Sequence, residues 1–192
     1  MMLILKRLAT NLLYEFNQNH FAVPSLTAGE DRMDRRSKGF SLIELLIVVA
    51  IILVIAAIAI PNFMRSRIAA NQASAVASLR TLDTSEVAYS ATYGGGFTAD
   101  MASLAPAPGG ANPTSTAAGL IDSVLASGVK SGYSFTYSPG ATDSSGRINS
   151  YEFDASPVSG NTGINYYFTD QSGVVRFNIT AAASSTDSPL AG

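Results

Sequence analysis

The sequence predicts an α+β fold. A long N-terminal helix, apolar in its first half and amphipathic in its second, packs on a small antiparallel sheet of about four strands. Three observations lead there. Leu42 to Ile60 is a run of 19 residues in which Glu44 is the one polar side chain. Asn62 to Tyr93 carries its apolar residues at helical spacing, and beyond residue 130 the period changes to strict alternation.

The N-terminal segment comes first. Leu3, Ile4, Leu5, Leu8, Leu12, Leu13 and Phe16 mark a short amphipathic pattern, with Lys6 and Arg7 near its start. A basic cluster follows, Arg32, Arg35, Arg36 and Lys38, then Gly39-Phe40-Ser41-Leu42-Ile43-Glu44 and the apolar run. As a helix, that run extends about 28 Å, close to the roughly 30 Å of a bilayer's hydrocarbon core. A secretory signal peptide is the competing reading, with Ala56, Ala57 and Ala59 as small residues for a peptidase. Its apolar core would be shorter, about 7–15 residues, so an anchor is expected. Four basic residues precede the run, against Arg65 and Arg67 after it, which places the C-terminal part outside the cytoplasm.

Glu44 admits two compatible readings. Ser41-x-x-Glu44 has capping-box spacing, which would hold the acid at a helix start near the membrane surface. A carboxylate among lipid tails costs about 2.5–3.5 kcal/mol or more, so an acid retained there is also a functional candidate.

Gly39-Phe40-Ser41-Leu42-Ile43-Glu44-Leu45-Leu46 resembles the processing site of the type IV pilin and type II secretion pseudopilin superfamily, and Pro61 falls where the family helix carries a proline. The clear likeness covers roughly Arg35 to Tyr93. It implies that a prepilin peptidase and N-methyltransferase cuts after Gly39 and methylates the new N-terminus at Phe40. It implies that Glu44 meets the N-terminal amine of a neighbouring subunit, and that the chain assembles with copies of itself and related pilins on an inner-membrane platform. Residues 1–39 are then a leader, 40–61 the transmembrane and filament-core helix, and the fold pilin-like. Family leaders are short and basic, so Met33 offers an alternative start, with 1–32 an overextended gene start. Many pilins close their C-terminal region with a disulfide. This chain has no Cys, so its exported part must be held by strand pairing, packing or a bound ion.

Pro61 removes a backbone donor and should kink or locally melt the helix. From there to Tyr93, Ile68, Val76, Leu79, Leu82, Tyr89 and Tyr93 make one face, and several alanines favour helix. Gly94-Gly95-Gly96 should end it. Residues 94–130 read as a variable, exposed loop region with a turn-rich stretch from Ala105 to Gly110. Asp100 to Leu104 should make one helical turn. Leu120 to Ala126 should make another, with Leu120, Ile121, Val124 and Leu125 facing in.

Within 131–180, Tyr133, Phe135 and Tyr137 alternate with polar residues. So do Tyr151, Phe153 and Ala155, and Val175, Phe177 and Ile179, while Tyr166 to Thr169 is a further run. Asp170 to Gly173 should turn between the last two strands. Residues 181–192 are small and polar, which predicts a flexible tail.

The chemistry is sparse. After Gly39 there is no Cys or His, since the lone His20 lies in the leader. Six Lys or Arg face ten Asp or Glu there, leaving −4, so there is no electrostatic case for nucleic acid. Glu152 and Asp154 share a strand face and read as a solvated surface. Asp143 near Gly146 and Asp170 near Gly173 are weak calcium candidates without a ligand-rich loop. No catalytic or cofactor residue is expected, and the chain does not read as an enzyme. Three classes remain: a subunit of a pilus-like filament or, alternatively, a type II secretion pseudopilin; a single-pass anchor displaying a binding or enzymatic domain; and a secreted protein that loses its helix.

Overall fold

A computed structural model of the chain describes residues 40–94 and 96–190. Residues 1–39, the expected leader with Gly39, His20 and Met33, lie outside the described residues. By its contacts the chain divides into Met1–Glu44 and Leu45–Gly192.

The long helix α1 runs from Leu42 to Tyr93, 52 residues. It continues through Pro61 as helix, so local melting at this position does not occur. The proline still removes the N–H that would have bonded the Ala57 carbonyl. Gly94, with φ 108°, ends α1 in a conformation that side chains with a Cβ rarely adopt.

Only the second half of α1 is buried against other elements, through Ala75, Ser78, Leu79, Leu82, Asp83, Ser85 and Glu86. The expected apolar face is therefore rotated slightly and includes two acids. Val76 and Tyr89 pack at its margin. Tyr93, expected on this face, is 37% exposed and sits beside Tyr89 with ring centroids 4.9 Å apart.

The sheet has five strands in sequential antiparallel order: β1 Val129–Lys130, β2 Tyr133–Pro139, β3 Tyr151–Pro157, β4 Tyr166–Asp170 and β5 Arg176–Asn178. The expected four are β2 to β5. The additional β1 pairs Val129 with Ser134 and Lys130 with Tyr133. Two residues are too few to show an alternating pattern. The turn that makes the pairing is Ser131-Gly132, with φ of 50° and 73°, the positive pair that matches the twist of a two-residue hairpin.

The strands carry out their alternation where it matters for packing. Tyr133 and Phe135 on β2, and Tyr151, Phe153 and Ala155 on β3, are buried with Tyr167 of β4 against Ala75, Leu79 and Leu82. Each fully buried large side chain contributes roughly 1.5–3 kcal/mol relative to exposure. Between β4 and β5 the Gly173 amide donates to the Asp170 carbonyl at 2.9 Å, and Asp170 Oδ1 accepts from the Ser172 amide, forming the expected turn.

Three expectations about the loops change. The 94–130 region is not simply exposed: Thr98, Leu104, Ile121 and Leu125 are buried. Its backbone is tied down where the Leu120 amide donates to the Leu104 carbonyl at 2.9 Å. Second, α2 is short, Ser123–Ala126, and Val124 points outward at 54% exposure. A single turn has room for only one inward position, which Leu125 takes. Asp122 caps α2 by accepting from the Leu125 amide at 2.7 Å and pairs with Lys130 at 2.8 Å. Asp122→Ala should lower stability by about 1 kcal/mol, mostly through the lost cap, as read by urea unfolding.

Third, residues 181–190 are not a loose tail. Ala183 is buried, the Leu190 amide donates to the Val175 carbonyl at 2.8 Å, and the Phe177 amide donates to the Ser188 carbonyl at 3.1 Å. Asp187 accepts from Asn178 Nδ2 and from Ser184. The segment thus covers the edge strand β5, whose unpaired backbone groups would otherwise be open to another chain.

Candidate functional site

The sequence candidates lie at the start of α1. Phe40 is 83% exposed. Ser41 stands immediately before the helix, and its carbonyl accepts from the Glu44 amide at 3.1 Å. Glu44 is in the first turn, where an acid is favoured by the unpaired N–H groups and the helix dipole. Gly39 lies outside the described residues.

From Leu42 to Ile60 the apolar side chains project with nothing over them among the described residues. Leu42, Ile43, Leu46, Val54, Ile55 and Ile58 are each 60% exposed or more. The most apolar 18-residue window of α1 has a mean hydropathy of 3.3 and no buried residue, so among the described residues α1 is long and apolar enough to cross a membrane. A surface this apolar calls for lipid or other apolar surfaces around it. Pro61 closes the segment at its far end.

The remaining candidates are structural in their contacts. Asp143 Oδ1 accepts from the Ser145 and Arg147 amides and Oδ2 from Asn149, and these bonds hold its carboxyl below the usual range. Asp170 is engaged in its turn. Glu152 is exposed, and Asp154 is raised by burial and then by the neighbouring Glu152 charge. Among the described residues no three acidic or imidazole side chains gather as metal ligands.

Two residues that sequence reasoning missed are the acids buried between α1 and the sheet. Glu86 is fully buried and Asp83 is 8% exposed. Glu86 accepts from the Thr98 amide at 3.0 Å and from the Thr98 hydroxyl. Tyr137 Oη completes this latch by donating to the Thr98 carbonyl at 2.6 Å. Asp83 accepts from Thr169 Oγ1 at 2.8 Å and Tyr151 Oη at 3.3 Å. Burial pushes Asp83 up to about 6 and raises Glu86 as well, against the lowering effect of these hydrogen bonds. A signal was present: Asp83 and Glu86 lie four residues after Leu79 and Leu82, in phase with the buried face.

Comparison with known proteins bears on the N-terminal segment. A family profile described as the prokaryotic N-terminal methylation motif matches residues 34–60. The likeness to the type IV pilin and pseudopilin superfamily rests on this segment. Among curated proteins it is similar to the type IV major pilin protein PilA of Myxococcus xanthus (strain DK1622), 47% identical over 58 residues. That match takes in 30% of this chain and spans only 26% of the length of the relative. No solved structure gives a significant match. The architecture of a long helix on an antiparallel sheet thus comes from the structure itself, and the likeness to pilins from the first part of α1 and the residues before it.

Proposed function

We propose that this chain is a structural subunit of a type IV pilus-like filament. It is stored as a single-pass protein of the bacterial inner membrane, with the sheet domain outside the cytoplasm. A prepilin peptidase removes the leader after Gly39 and Phe40 is N-methylated. The subunit then leaves the lipid by packing the first half of α1 against neighbouring helices, on an inner-membrane assembly platform. It carries no catalytic role.

The observation that carries this reading is the exposed apolar surface of Leu42 to Ile60 interrupted by Glu44 alone. A plain anchor has no use for that carboxylate, whereas a filament of apolar helices needs a device against sliding. An acid paired with the Phe40 amine of a neighbour supplies one, because two buried opposite charges cost far less together than either alone. Pro61, which frees a carbonyl of α1, is the position where the helix is best able to bend on packing. A relative named as a major pilin favours a pilus over a secretion pseudopilus.

Glu44→Ala tests the reading. Membrane insertion and leader removal should stay near wild type, while sheared filaments fall at least tenfold by electron microscopy and blotting. Wild-type filament yield from this variant would remove the register role.

A further inference from the structure

The buried acids of α1 have a feature the filament reading does not use: two carboxylates one helical turn apart, enclosed without a cation among the described residues. The groups facing them are named readily. On α1 they are Arg80, which lines the same surface groove as Asp83, and Tyr89. From the loop after α1 comes Thr98, from β2 Tyr137, from β3 Tyr151, and from the end of β4 Asp170. Arg80 is exposed and makes no ion pair with either acid. Among the described residues the ion pair is Lys130 with Asp122.

The side-chain partners are also of one kind. Thr169 Oγ1, Tyr151 Oη and Thr98 Oγ1 are hydroxyls, which donate to a carboxylate and accept from a carboxylic acid with a rotation of one hydrogen. The Thr98 amide bonds the second oxygen of Glu86 in either state. The site therefore stays hydrogen-bonded after protonation while losing the cost of a buried, unpaired charge.

We propose that Asp83 and Glu86 make the joint between α1 and the sheet an acid-tightened clamp, which takes up protons on folding and holds helix to sheet more firmly at mildly acidic than at neutral pH. The sign follows from linkage. Both acids are raised in the folded chain, so their stabilising protonation is fully present below the unfolded value and is lost as pH rises through the folded one. With Asp83 at about 6 against 3.8 unfolded, its contribution to the folding constant is about tenfold larger at pH 5 than at pH 7. The acids with lowered values, Asp122, Asp143 and Asp187, lie below this window and stay ionised across it.

The test uses the full chain in detergent micelles, in a His20→Gln background that removes the only histidine. Thermal unfolding, followed by the near-ultraviolet dichroism of the tyrosines, should shift to higher temperature from pH 7.5 to pH 5. The Asp83→Asn, Glu86→Gln double variant should flatten that slope. Unfolding the chain in urea at pH 5.5 should release protons, and unfolding the double variant should release fewer. A melting temperature that falls or stays level on acidification, an unchanged slope in a folded double variant, or unfolding without proton release would each overturn the clamp.

Discussion

Phe153→Ala is expected to lower the stability of the sheet domain by about 3–5 kcal/mol, a large share of the roughly 5–15 kcal/mol that holds a domain folded. Phe153 is fully buried at the centre of β3, flanked in register by Tyr137 of β2 and Thr169 of β4. Its ring packs against Tyr137 at 4.8 Å and Tyr151 at 5.4 Å between centroids. Alanine would remove the ring's burial and its aromatic contacts together. The walls of the resulting cavity belong to side chains that are themselves committed. Tyr137 is held to the Thr98 carbonyl and Tyr151 to Asp83, so neither can fold inward without abandoning a hydrogen bond. Without a disulfide anywhere in the chain, nothing covalent offsets the loss. Urea unfolding followed by tyrosine dichroism measures the effect, and a loss below about 1 kcal/mol would mean that the core repacks freely. Insertion of α1 in the membrane should survive, because Leu42 to Ile60 makes no use of the sheet.

The second large effect is expected at Gly39. Gly39→Leu should reduce leader removal by tenfold or more, and Gly39→Ala by less, with losses following side-chain bulk. A peptidase that closes on the backbone before Phe40 requires close approach there, and a residue without a Cβ permits it. The same variants should still insert, since the basic cluster and the apolar run on which the proposed topology rests are untouched. Pulse labelling with separation of precursor and processed forms gives the ratio directly. Full processing of Gly39→Leu would place the cut elsewhere.

The sequence and the structure agree most closely where one period runs undisturbed. The helical stretch through to Tyr93 and the alternation of Tyr133–Tyr137 and Tyr151–Ala155 each match an element within a residue or two. The turn at Asp170–Gly173 was legible because its chemistry is local. What escaped was set by tertiary contact. Strand β1 has two residues and exists through a Ser131-Gly132 turn in which a serine takes a positive φ that propensity does not favour. The segment 181–190 looks like a tail by composition, yet Asp187 and Leu190 fasten it to β5 and to the core. Asp83 and Glu86 fell outside the apolar pattern because they are charged residues, although their phase was correct. Acids at such positions are expected to face water unless hydroxyls and a free amide from distant segments meet them, and Thr98, Tyr151 and Thr169 do so only in the folded chain. At the start of α1 the opposite holds. Position in the motif suffices to single out Glu44, while the partner proposed for it, an amine on another subunit, is not part of one folded chain.

The proposed life of this protein turns on a single peptide bond, and the mature N-terminus reports on it. Intact-mass and terminal-peptide spectrometry of the chain from membrane and sheared-filament fractions should find it beginning at Phe40, heavier by one methyl group. A terminus at Met1 or Met33, or one beyond the apolar run near Ala59, would contradict the account, the first two leaving a plain anchor and the last a secreted domain.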